Sequence, residues 1–412
     1  MRGRKLFLGI EPALVVWGAG VSAALHVGKL SPALPVLQQD LGMSLLQAGF
    51  LLSLVQFAGM LLGLIVGLAA DGWGLRRSMI SGLLLLSSAS LLGGWSQDVS
   101  TLLLLRAVEG LGFLLTSMPA PNLIRQLVSP QRVNAMLGVW GAYMPLGTAA
   151  ALLLGPMLIS QLGWQAWWWC LGGWTLLMAF WLWHEVPADT RGLDFQAATS
   201  PGVAPGWPVR LRQTLSSRGP WLVALSFAVY SGQWIAVIGF LPSIYAQTEW
   251  AVSWSALLTA LAALVNIGGN IASGRLLAVH IKPGYLLMVG FGVMAGTSVL
   301  AFAQTPEGLG LPAMLRYGAI LLFSSVGGLI PGTLFSLAVR LAPSEHAVST
   351  TVGWTQQWAA TGQFVGPPLV AWVASLVGGW QVTWVVTLVC SMLGMVLAWC
   401  IGRLLERRPC VT

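Results

Sequence analysis

Twelve times along the chain an apolar run of about 20 residues is closed by a short polar segment, and that rhythm dictates the fold class. A helix rising about 1.5 Å per residue needs roughly that many residues to cross the hydrocarbon layer of a membrane. On this rule helices fall at roughly 11–36, 45–70, 78–95, 101–124, 133–161, 164–184, 220–246, 254–278, 284–304, 311–340, 347–377 and 380–402. Only 8% of the 412 residues are charged and 56% are hydrophobic, a balance that a single soluble core cannot hide. The expected fold class is an all-α membrane protein with twelve transmembrane helices.

The few charges fix an orientation. Arg2, Arg4 and Lys5 precede helix 1, and Arg76 and Arg77 follow helix 2. Arg125 and Arg132 lie between helices 4 and 5; Arg191, Arg210, Arg212 and Arg218 lie between helices 6 and 7. Arg275, Lys282, Arg340, Arg403, Arg407 and Arg408 continue the pattern, which places 17 of the 20 basic residues on one side. The opposite loops carry Asp40, Asp98, Glu249 and Glu307. The positive-inside rule then puts both termini in the cytoplasm, with the bacterial inner membrane as the expected location. The basic start and the apolar run behind it read as a retained helix rather than a cleaved leader. Cys170, Cys390, Cys400 and Cys410 form no CxxC, and His26, His184, His280 and His346 are scattered, so neither disulfides nor a metal site is expected. No basic patch points to nucleic acid, and no Walker loop, GxSxG or HExxH points to ATP or to hydrolysis. A carrier without enzymatic activity and without a cofactor is expected.

The longest polar break, rich in Pro, Gly, Ser, Thr and Arg, divides the chain into an N-terminal bundle (1–184), a cytoplasmic linker (185–219) and a C-terminal bundle (220–412). The halves share features in register. The stretch LPV at Leu34–Val36 matches LPS at Leu241–Ser243, and GVWGAYMPLG at Gly138–Gly147 shares the glycine spacing of GWTQQWAATG at Gly353–Gly362. Gly155-Pro156 matches Gly366-Pro367, and Arg106 corresponds to Arg316. Such duplication is a signature of transporters, with the binding site near mid-membrane between the repeats.

Two stretches carry a family resemblance. GLAADGWGLRR, at the end of helix 2, resembles the helix 2–3 loop motif of the major facilitator superfamily through Gly67, Asp71, Gly74, Arg76 and Arg77; Gly72 stands where that motif has a basic residue. Arg106, Gly110 and Gly112 in helix 4 resemble a second motif of the same superfamily. SPALP, GVWGAYMPLG and GFLPSIYA are similar to segments of its cyanate/nitroimidazole-transporter branch. The resemblance implies two pseudo-symmetric six-helix bundles around a central cavity, alternating access by rocking, and an ion gradient as the energy source. The helix 2–3 residues then form a conformational latch, with Asp71 facing a helix N-terminus or Arg and Gly74 making the turn.

Three basic residues lie inside apolar runs: Lys29, Arg106 and Arg316. Each either reaches the outer headgroups or faces the cavity, because each lies in the outer part of its helix. Facing one cavity with Glu109 as the sole opposing acid, they favour an anionic substrate. Glu109, one turn from Arg106, pairs with it and is the candidate proton carrier. Gln56, Tyr143, Tyr230, Gln233, Asn266, Gln356 and Gln357 are further candidates for substrate contact, though each alone reads equally as an interhelical hydrogen bond. The deeper Trp17, Trp140, Trp234, Trp354 and Trp358 suit either lipid or an aromatic ligand. The leading expectation is a proton-coupled, monomeric secondary transporter of a small anion, with the bilayer, the solute and protons as its partners. Efflux of a drug-like aromatic compound is the second expectation. A non-transporting sensor or scaffold on a transporter fold is the third.

Overall fold

The computed structural model describes residues 10–189, 206–245, 252–304 and 310–406, without the side chains of 67–73, 134–135 and 252–253. Gly67 and Asp71 of the expected latch lie outside the described side chains, and Arg191 and the terminal basic residues outside the described residues.

Among the described residues, nine helical segments are long and apolar enough to cross a membrane. One of these, Pro130–Glu185, has 56 residues and would be about 84 Å long if straight, far more than a bilayer requires. It folds back at Gly163, whose φ of 82° and ψ of 164° are closed to residues with a Cβ, and so supplies two spans. Pro12–Gly28 and Leu75–Gly93 complete the twelve.

We number the spans in chain order. α1 is Pro12–Gly28, extended after a turn by Leu34–Leu41; α2 joins Leu45–Ser53 to Phe57–Trp73 through a 3₁₀ turn at Leu54–Gln56. α3 is Leu75–Gly93, and α4 is Val99–Ser117 with Ala120–Leu127. α5 and α6 are Pro130–Gly141 and Tyr143–Glu185, divided at Gly163. In the second half α7 is Arg218–Tyr245, α8 Val252–Ala278, α9 Pro283–Phe302, α10 Ala313–Gly327 with Leu329–Arg340, α11 Val348–Val377 and α12 Thr383–Glu406. A short helix, Trp207–Ser216, precedes α7.

The break in α1 follows from its sequence, since Pro32 has no N–H to continue the ladder beyond Gly28. At α4 the start is fixed by Asp98, whose side chain accepts the Thr101 hydroxyl and the Thr101 N–H. Those two bonds hold the Asp98 carboxyl below its ordinary range.

The end at which Asp189 lies is called here the linker end, and the opposite end the distal end. In the distal half the two bundles share one apolar cluster, with Leu30, Leu34, Leu51 and Leu52 packed with Phe240, Ala371 and Trp380. Toward the linker end, Val16, Met79, Leu83, Ile124, Trp140 and Leu182 form a cluster drawn from the first half alone. Glycines report the same asymmetry. A Cβ on Gly49 would lie 2.9 Å from Ala371 and from the Pro368 backbone, whereas Gly138 of α5 and Gly274 of α8 face open space. A groove of about 420 Å³ runs along α8 past Gly268, Ile271 and Arg275. The two bundles are therefore packed closely together at the distal end.

Candidate functional site

Two helix interruptions expose the backbone groups around which the polar interior of the first bundle is built. The last carbonyls of a helical segment have no partner within it, and in an apolar interior each such group is costly. The segment of α1 ending at Gly28 leaves the carbonyls of His26 and Val27, and the segment of α2 ending at Ser53 leaves that of Leu51. Arg106, 2% exposed, answers all three. Its Nε donates to Leu51 O at 3.1 Å, Nη1 to His26 O at 2.6 Å and Nη2 to Val27 O at 3.4 Å. Nη1 also donates to Glu109 Oε2 at 2.7 Å, so the guanidinium ties two broken helices to α4.

Glu109 holds a second cation. Lys29, wholly buried, ion-pairs with Glu109 Oε1, donates to Ser90 Oγ at 3.0 Å and lies 4.7 Å from the centre of the Trp168 ring. Ser90 Oγ donates to Trp168 O at 2.9 Å, and Trp167 Nε1 donates to Lys29 O at 3.1 Å. His26 completes the cluster: its Nε2 is 2.8 Å from Thr175 Oγ1, and Thr175 Oγ1 is 3.1 Å from Ser22 Oγ. A space of about 10 Å³, room for about one water, adjoins Arg106, Glu109 and Trp168.

Lys29 and Arg106 thus turn into the first bundle and neither reaches the headgroups. Arg316 lies apart from them, half-buried in the second bundle, where its Nε donates to Ala301 O at 2.6 Å near the end of α9.

The second bundle has an uncharged network. Asn266 donates to Tyr230 Oη at 3.0 Å and to Ser324 O at 2.8 Å, and Trp234 Nε1 donates to Ser324 Oγ at 3.0 Å. Gln233 Oε1 accepts from Ser391 Oγ at 2.9 Å, and its Nε2 is buried without a partner, as is Gln56 Nε2 on α2. Tyr143 stacks on Trp140 with ring centres 4.2 Å apart, and Gln356 is half-buried on α11. Trp221, Trp354 and Trp358 meet edge to face at 4.9 to 5.9 Å.

Gln357 joins the halves. Its Oε1 accepts the Leu64 N–H at 3.2 Å and its Nε2 donates to Met60 O at 2.9 Å, the two groups that pair with each other in an uninterrupted helix.

At the linker end, Asp189 accepts the Arg76 and Arg77 N–H groups at 2.9 and 3.1 Å and caps α3 from outside. Gly74 makes room for it: φ is 107°, and a Cβ there would lie 2.4 Å from Asp189 Oδ2. Arg76 also donates to Trp183 O.

Ser90, Trp168, Thr175 and Asp189 were not among the candidates from sequence. Their short polar or aromatic side chains acquire meaning only through partners far away along the chain.

Residues 16–360 match the sequence model of the Major Facilitator Superfamily. The chain belongs to that superfamily. This makes it a multi-pass membrane protein of a family of carriers, built as two six-helix bundles. Among its relatives is the cyanate transport protein CynX of Escherichia coli (strain K12), 24% identical over 348 residues, which cover 82% of each chain. The puromycin resistance protein pur8 of Streptomyces alboniger is 35% identical over 161 residues, 38% of this chain and 31% of that one. The tetracenomycin C resistance and export protein of Streptomyces glaucescens is 29% identical over 161 residues and likewise is matched over only 29% of its length. In fold, the chain is similar to a bacterial homologue of the human lysosomal transporter Spinster in an inward-facing, unoccupied conformation. The TM-score is 0.76 at 16% identity over 100% of both chains.

Proposed function

We propose that this superfamily member is a proton-coupled secondary transporter of a small anionic solute in the bacterial inner membrane, working as a monomer by alternating access. One observation carries the anion: Lys29 and Arg106 face the single acid Glu109 in a sealed interior, which leaves one positive charge in excess while His26 is neutral. Arg106 is saturated by protein groups, so the cluster acts on a solute through its field rather than by contact. A unit charge about 10 Å away, at an effective dielectric constant of about 20, attracts an anion by roughly 1.7 kcal/mol. The cytoplasmic placing of the linker end rests on its Arg and Lys residues, and on that placing the distal closure corresponds to an inward-facing state. The relation to a cyanate transport protein over most of both chains supports the same reading.

Purified protein in proteoliposomes, offered labelled cyanate, formate, lactate and benzoate under an imposed pH gradient, tests it. At least one anion is expected to accumulate more than tenfold over empty liposomes. Accumulation of none, with or without the gradient, defeats the anion reading.

A second reading has its own support in the Trp221, Trp354 and Trp358 group and the Trp140–Tyr143 stack, which suit a flat apolar solute. Export of such a compound, as the names of the two antibiotic-resistance relatives suggest, gives cells raised tolerance to puromycin and no anion uptake.

A further inference from the structure

We propose that His26, rather than Glu109, is the group that takes up and releases the coupled proton. The inference rests on the proton-coupled anion reading for its physiological meaning, but its central claim concerns one side chain and is measurable without a substrate.

Within the cluster, Glu109 has both oxygens engaged, Oε1 by Lys29 and Oε2 by Arg106. Arg106 has four acceptors, and Lys29 has Glu109, Ser90 and the Trp168 ring. One polar atom of the cluster has no hydrogen-bond partner: His26 Nδ1, in a side chain with no exposed surface. It lies 3.8 Å from Glu109 Oε1, too far for a hydrogen bond and close enough to form one after a shift of about 1 Å. A bare buried nitrogen facing a carboxylate is a poor arrangement that one proton corrects, because the imidazolium donates from both ring nitrogens.

The charged groups around His26 are Lys29 on its own helix and Arg106 and Glu109 on α4; α6 presents the Thr175 hydroxyl and α3 the Ser90 hydroxyl. A hydronium ion gives one proton to the ring and leaves as water, and no bond between heavy atoms changes. If the neutral ring carries its proton on Nε2, the new proton goes to Nδ1 and faces Glu109. If it carries it on Nδ1, the new proton goes to Nε2, and Thr175 becomes an acceptor there while its own O–H turns to Ser22 Oγ. Either way the cluster moves from one positive charge in excess to two. A monovalent anion bound between the bundles then brings the excess back to one. Proton and monovalent anion thus favour each other through the field of the cluster, and they travel one for one without net charge.

The test uses the full chain in lipid nanodiscs. The sequence holds four histidines, so His184→Gln, His280→Asn and His346→Gln together leave His26 as the sole ¹⁵N-histidine signal. Between pH 8 and pH 4 that signal is expected to pass from the neutral to the imidazolium pattern. A ring that stays neutral throughout overturns the inference whatever the transport result. In proteoliposomes with the same four anions, His26→Gln is expected to lose at least tenfold of the pH-driven accumulation while anion counterflow stays within about threefold. Wild-type flux should follow the pH gradient and ignore an imposed membrane potential. Full pH-driven accumulation by His26→Gln overturns the inference too. A ring that titrates in a protein moving none of the anions leaves His26 as a proton site and removes only the anion reading.

Discussion

The first bundle encloses Lys29, Arg106, Glu109 and His26, while every polar residue buried in the described part of the second bundle is uncharged, with Tyr230, Gln233, Asn266 and Ser324 prominent. The helices differ in a way that accounts for this. α1 and α2 are interrupted in their distal halves and leave carbonyls that a cation can satisfy, whereas α7 runs unbroken from Arg218 to Tyr245 in spite of Pro242. Arg106 and Arg316 do one task in different settings. Arg106 caps two helix ends deep inside, and Arg316 caps the end of α9 near the surface.

The contrast is broken most forcefully at Glu109. Glu109→Gln leaves Lys29 and Arg106 as two buried cations without an anion, and removing one partner of such a group costs about 3–5 kcal/mol. Little folded protein should elute as a monodisperse peak in detergent, or its Tm should fall steeply. Lys29→Met is expected to be milder, because Arg106 and Glu109 remain as a neutral pair. Equal losses in the two variants would mean that charge balance is not what the cluster is built around.

Next in size is helix contact. Gly362 on α11 meets α7 so closely that a Cβ would lie 2.0 Å from Ala228 O, and Gly362→Ala should cost about 1–3 kcal/mol through overpacking. Gly138→Ala, which faces open space, should cost nothing measurable in the same thermal assay. A cost at Gly138 comparable to that at Gly362 would contradict the open space at that position of α5.

Asp189→Ala removes the cap on α3 and is expected to cost about 1 kcal/mol. Hydrogen exchange should quicken at Arg76 and Arg77 and be unchanged in the middle of the helix.

These sites also mark how far the sequence was readable. The spans and the pairing of Arg106 with Glu109 were legible because they depend on local spacing: apolar length and one helical turn. Lys29 as a second partner of Glu109 was not, because that contact spans 80 residues and depends on how α1 turns after Gly28. Arg106 meeting carbonyls was not, because a hydrophobic run continues across a helix break without any change in hydropathy. Asp189 looked like one more linker residue. Its role appears only when the start of α3 is folded against it.

The smallest effect on stability and the most specific effect on state are expected at Gln357. Its amide makes two hydrogen bonds to α2, worth together about 1 kcal/mol at the average measured for membrane proteins. Leu64 N–H and Met60 O are i, i−4 partners within the unbroken segment Phe57–Trp73, so after Gln357→Leu they have each other and α2 loses little. What is lost is a tie between bundles that the proposed alternating access would have to make and break. Spin labels at Gly138 on α5 and Gly274 on α8, both facing open space, report the distance between the bundles near the linker end. In Gln357→Leu the distribution of distances should broaden or shift while Tm moves by about a degree or less. By contrast, Asn266→Leu, which breaks a network wholly inside the second bundle, should lower Tm and leave that distribution alone. If the two variants behave alike, polar groups between the bundles and within them serve one structural purpose, and the tie at Gln357 has no part in the motion.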